Sequence, residues 1–152
     1  MAKEMAEFEL HPQLARDCLV IGEFPLSLLL LMNDSQYPWF ILVPKRPAIR
    51  EIHHLSEADQ HQLLLESAAL ATAMESVFQP DKLNIAALGN MVPQLHVHHI
   101  ARFSDDPAWP APVWGKLAPV FYKPAALIEI RERISIELPG NGSTAFRKNM
   151  AV

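Results

Sequence analysis

The sequence predicts an α+β domain with a mostly antiparallel sheet, on three observations. Three apolar runs of strand length come first, one long helical pattern follows, and two more strand-like runs come after it. A turn-forming stretch of hairpin length joins the second and third runs. No repeat or linker interrupts the 152 residues, which are enough for one core.

Cys18 to Phe24, Leu28 to Met32 and Trp39 to Val43 are the first three runs, each bounded by turn formers. Asn33-Asp34-Ser35, followed by Pro38, forms the loop between the last two. Ser56 is a helix N-cap, and Glu57 and Asp59 place negative charge at the positive end of the helix dipole. Leu63, Leu70, Met74 and Val77 recur at helical spacing until Pro80 ends the helix. Lys82 to Leu88 and Gln94 to Phe103 read as two further strands joined by Gly89-Asn90-Met91-Val92-Pro93. A Trp- and Pro-rich loop runs from Ser104 to about Pro119, and a second helix from about Lys123 to Ser135. One domain is expected over residues 1–138, with a mobile polar tail over 139–152.

Composition narrows the function classes. Hydrophobic residues make up 50% and charged residues 20%, as in a soluble globular protein. A net charge of −4 leaves no basic stripe to neutralise phosphates, which argues against a nucleic-acid partner. Thirteen prolines against five glycines imply stiff connections. The single cysteine, Cys18, excludes an internal disulfide, suits a reducing cytosol and reads as a small buried hydrophobe. Met1 to Glu9 lacks the apolar centre of a signal peptide, and Leu26 to Met32 is too short to cross a bilayer. A cytoplasmic protein with no membrane partner is expected.

Chemistry concentrates in Gln94-Leu95-His96-Val97-His98-His99-Ile100, which holds three of the seven histidines. Strand alternation puts Gln94, His96, His98 and Ile100 on one face and Leu95, Val97 and His99 on the other. Three readings are open. The His96–His98 pair could ligate a transition metal, but no carboxylate or cysteine lies nearby in sequence to complete the site. The two rings could satisfy each other in a core, although adjacent buried imidazoles fill space poorly. One histidine could act as a nucleophile with its neighbour assisting. Gly89 adds weight to the third reading, because it lets backbone N–H groups approach a phosphate closely.

The stretch from Gly89 through Ile100, followed by Arg102, resembles the signature of the histidine triad nucleotide hydrolases and transferases. The likeness extends upstream through Phe40-Ile41-Leu42-Val43-Pro44-Lys45-Arg46, the Leu55-Ser56 helix start and Asn84, covering roughly residues 18 to 103. The resemblance implies a five-stranded antiparallel sheet, usually paired across a two-fold axis. It also implies attack on the α-phosphate of a nucleotide through a nucleotidyl-histidine intermediate. By this likeness His96 holds the nucleophile position, and His98 the position that contacts phosphate and helps the leaving group. Asn33 matches a ribose-binding position, Asn84 belongs to the nucleotide-binding set, and Gly89, Asn90 and Met91 form the phosphate-cradling loop. The chain departs from the pattern at Gln94, where the first His is usual. It departs again at Asn90 for Gln, at Met91 for Ser or Thr, and at His99 in a normally apolar position. No resident cofactor or metal is implied; magnesium would enter only with a polyphosphate substrate.

Other conspicuous residues have plainer readings. His53-His54 reads as a solvated turn, His61 as helix surface, and Lys45-Arg46 as a solvated strand end. Trp109 and Trp114 either stack on a base or plug the loop. Leu63, Leu64, Leu65, Leu70, Met74 and Val77 are more apolar residues than one helix face needs, so a homodimer is expected.

Overall fold

A computed structural model describes residues 6–150. The first five residues, on which part of the reading against a leader rests, and the last two of the expected tail lie outside the described residues. In chain order the elements are α1 (Pro12–Asp17), β1 (Cys18–Glu23), β2 (Ser27–Met32), β3 (Trp39–Pro44), α2 (Glu57–Phe78), β4 (Lys82–Ala86), β5 (Val97–Arg102), α3 (Pro124–Glu137) and β6 (Arg147–Lys148). They form one antiparallel sheet in the order β4-β5-β3-β2-β1-β6.

β3 is buried along its whole length because both faces of the sheet are covered. Phe40 and Leu42 face α2 and α3 together with Leu29, Leu31, Leu70 and Ile134. Trp39, Ile41 and Val43 face the other way, with Leu30, Ile100 and the loop residues Ala108 and Val113. Each such Leu or Ile contributes about 1.5–3 kcal/mol by leaving water. The alternation expected for a strand therefore places apolar residues at every position here, since neither face meets solvent.

α2 begins as its sequence requires: Ser56 Oγ accepts the Asp59 N–H at 3.2 Å. It ends at Gln79, which takes a left-handed conformation (φ 50°) just before Pro80. The short α1 carries no periodic signal in the sequence and was not expected.

Three expectations are corrected. The sheet has six strands, not five, because Arg147–Lys148 pair with Gly22 and Glu23 of β1. The stretch expected as a mobile tail is therefore docked up to this strand. Phe146 packs on Phe24 with ring centroids 5.4 Å apart. A Cβ at Gly22 would collide with the Arg147 carbonyl and the Phe146 ring, so this glycine is what admits the segment. The last main strand also begins at Val97 rather than Gln94. The Gln94 side chain is drawn instead to the segment before α1, as described below.

Among the described residues, no helix is long and apolar enough to cross a membrane. Cys18 is half-buried, and burial pushes its thiol up to about 12, which leaves it a thiol at neutral pH.

Candidate active site

β5 is paired on both sides, with β3 and β4, so its side chains are held by the sheet itself. His96, just before the strand, and His98 on it are buried and lie edge to face, ring centroids 4.8 Å apart. His99 points to the opposite face, toward α2. The alternation read from the sequence thus places these three histidines correctly.

Hydrogen bonds fix the proton positions. His96 Nδ1 lies 2.7 Å from the Gln94 carbonyl, which can only accept, so Nδ1 carries the proton and Nε2 keeps a free lone pair. His98 is the reverse. Its Nδ1 accepts from the Trp39 indole N–H at 3.0 Å, so its proton sits on Nε2, 3.2 Å from the Leu88 carbonyl. His99 donates Nδ1–H to the Val97 carbonyl at 3.1 Å and accepts from the Ser67 hydroxyl at 2.7 Å.

Burial keeps all three rings neutral. It lowers His96 from the ordinary histidine range, against the opposing pull of the Gln94 carbonyl, with a smaller lowering by positive charge at His11. It brings His98 down to about 4, helped by repulsion from His96, and His99 likewise to about 4. At pH 7 the site therefore holds an unprotonated nucleophilic nitrogen on His96 beside an N–H donor on His98. A two-histidine metal site fits poorly, because the lone pair of His98 Nδ1 is taken by the Trp39 indole N–H and Nε2 carries the proton, which leaves a free lone pair only on His96 Nε2.

His96 and His98 open on a cleft of about 640 Å³, walled also by His11, Asp17, Met32, Trp39 and Trp114. Trp114 stands edge-on to His98 at 5.1 Å and to Trp39 at 6.0 Å. A smaller hollow of about 130 Å³ adjoins His96, lined by Arg50, Gly89, Asn90 and Gln94. Asn90 borders both cavities, and Met91 stands 92% exposed at the rim of the larger. Gly89 is needed sterically: a Cβ there would lie 2.7 Å from the Val92 carbonyl oxygen and 3.5 Å from His96 Cε1.

Of the residues expected at the site, His96, His98, Gly89, Asn90 and Met91 are brought together. Asn33 and Asn84 are not. Asn33 Oδ1 accepts the Tyr122 N–H at 3.0 Å and so ties down the loop before α3. Asn84 Oδ1 accepts from Arg102 at 2.8 Å. Arg102 is buried, ion-paired to Asp106 through two hydrogen bonds, and 5.7 Å from the Trp109 ring centroid. Trp109 thus belongs to the packing of the loop, whereas Trp114 belongs to the cleft. Gln94 is divided: its carbonyl orients His96, while its amide spans the Glu9 carbonyl and the His11 N–H, both at 2.9 Å.

Sequence reasoning missed Trp39, His11 and Asp17. Trp39 looked like one more apolar strand residue, and only its indole N–H marks it as a partner for a histidine. His11 and Asp17 flank a helix too short to leave a periodic signal.

His53 and His54 are exposed in a single helical turn, and His61 is exposed on α2. Lys45 pairs with Glu23 at 2.9 Å and Arg46 with Asp59 at 2.7 Å, away from either cavity.

An antiparallel α+β sheet that carries a His-x-His strand behind a glycine loop defines a histidine-triad type of protein. The HIT domain model matches residues 13–105. A histidine triad protein from Marinobacter aquaeolei VT8 has 50% identity and a TM-score of 0.86, over 88% of this chain and 97% of its own. One from Bradyrhizobium japonicum has 43% identity and a TM-score of 0.86, over 88% and 99%. One from Sinorhizobium meliloti 1021 has 41% identity and a TM-score of 0.85, over 86% and 97%. None of the curated proteins matches. The chain belongs to the histidine triad family.

Proposed function

We propose that the protein is a nucleotidyl hydrolase or transferase that cleaves at the α-phosphate of a nucleoside phosphate derivative, either a dinucleoside polyphosphate or a nucleoside phosphoramidate. The observation that carries this reading is the proton arrangement: His96 lines the cleft with Nε2 unprotonated, because Nδ1–H is spent on the Gln94 carbonyl.

Attack by His96 Nε2 on the α-phosphorus forms a P–N bond. The bond from phosphorus to the leaving oxygen or nitrogen breaks, and the leaving group departs with the electron pair and takes up a proton. Water then attacks the nucleotidyl-histidine, releases a nucleoside monophosphate and returns the imidazole, and the proton lost by water balances the one gained. His98 Nε2–H, at the long distance of 3.2 Å from the Leu88 carbonyl, is available to donate to a phosphate oxygen. Main-chain N–H groups of Gly89, Asn90 and Met91 cradle the phosphate without a hydroxyl from residue 91. No metal takes part in these steps; magnesium would travel with a polyphosphate substrate.

Turnover of a panel of adenosine and guanosine phosphoramidates and dinucleoside polyphosphates, with and without a chelator, tests the proposal. Hydrolysis that survives the chelator and is lost in His96→Ala is expected. A nucleotide-binding or scaffold protein on the same fold with little turnover is the second reading, favoured by the Gln94 amide bonding to Glu9 and His11 rather than to His96. A cytoplasmic homodimer completes the proposal. Its support is an apolar hollow between α2 and the edge strand β4 that exposes Leu64 (66%) and Ile85 (50%).

A further inference from the structure

His11 stands in the nucleotide cleft although it lies far from the His96 strand in sequence. Three observations define its state. Its Nδ1 accepts the Gln13 N–H at 3.1 Å, so in the neutral ring the proton must sit on Nε2. No partner holds that Nε2–H among the described residues. His11 lines the same cleft as His96 and His98.

The backbone around His11 is fixed from the catalytic strand side. Gln94 Oε1 accepts the His11 N–H and Gln94 Nε2 donates to the Glu9 carbonyl, so a single amide clamps the chain immediately before and at His11. Histidine at position 94 could not make both bonds with the same reach. One neutral ring offers a single donor and a single acceptor, placed in fixed opposite directions. A fork of adjacent donor and acceptor is what an amide supplies.

We propose that His11 is a further catalytic residue, which donates Nε2–H to a non-bridging oxygen of the α-phosphate and supplies from the N-terminal segment the imidazole that position 94 lacks. Gln94 is then a positioning residue for His11, not a weakened member of the triad. The proposal rests on the nucleotidyl-transfer reading, and it adds a hydrogen bond to that reaction without changing which bonds form or break.

Two substitutions separate this role from a structural one. His11→Asn keeps a side-chain acceptor for the Gln13 N–H, since asparagine is a good N-cap, but offers no donor at the distance of Nε2. His11→Ala loses both. With nucleoside phosphoramidate as substrate, kcat should fall at least tenfold in both variants, with KM changed less than about threefold and the thermal midpoint of His11→Asn near that of the native chain. Native kcat in His11→Asn would overturn the assignment and leave His11 as a cap.

If the native chain turns over nothing in the panel, the enzymatic reading fails by itself, and a binding measurement decides on His11. The ¹⁵N resonance of His11 Nε2 should then move on saturation with adenosine or guanosine 5′-monophosphate. An unmoved resonance, or no binding of either nucleotide, would overturn the role of His11 as well.

Discussion

Trp39→Phe puts the proton arrangement of the site under direct strain. Among the described residues the indole N–H is the sole donor to His98 Nδ1, at 3.0 Å, and His98 is only 4% exposed. Phenylalanine keeps a flat ring over Trp114 but removes the donor. A buried acceptor left without a partner costs about 1–3 kcal/mol. The space vacated by the larger ring adds on the order of 1 kcal/mol. The variant should therefore lose about 2–4 kcal/mol, or roughly 5–15 °C of thermal midpoint for a chain of this size. Turnover should fall as well, by tenfold or more, because the free Nδ1 can now take the proton that belongs on Nε2. Scanning calorimetry measures the first effect and steady-state kinetics with a phosphoramidate the second. A midpoint within about 2 °C of the native value, together with native kcat, would refute the tautomer assignment on which the mechanism depends.

Gly89→Ala should lower kcat/KM by about ten- to a hundredfold, because its Cβ must displace the Val92 carbonyl or the loop beside His96; kinetics on the purified variant would show it. Gln94→His should change the rate by less than about a hundredfold, or 2.7 kcal/mol of barrier, because a main-chain carbonyl orients His96 whatever the side chain. A large gain on that substitution would favour the binding-protein reading. Stability should fall as pH drops from about 6.5 toward 4, since His98 and His99 stay neutral when folded but take up protons when unfolded. The slope is at most about 1.4 kcal/mol per pH unit for each ring, and urea unfolding across that range measures it. Replacing His99 by leucine should flatten the slope.

The main strands and the long helix were legible because their signals are local. Apolar runs, Ser56 with Glu57 and Asp59, and Pro80 each act within a few residues of themselves. Segments defined by distant partners were not legible. β6 depends on Gly22 more than a hundred residues away, and α1 is anchored through the reach of Gln94 to Glu9 and His11. The same division runs through the site. His96 and His98 follow from alternation along one strand. Trp39 and His11 were hidden because an indole in an apolar run and a lone histidine beside a proline carry no pattern of their own. Asn33 and Asn84 show the converse: position along the chain suggested a ligand role, but their side chains are spent on Tyr122 and Arg102.

The central claim is that His96 becomes covalently nucleotidylated. Native protein mixed rapidly with a nucleoside phosphoramidate, quenched in alkali to preserve the P–N bond and digested, can be read by tandem mass spectrometry. A nucleoside monophosphate adduct on His96, absent from His96→Ala, is the expected result. Turnover with no adduct, or turnover that persists in His96→Ala, would contradict it.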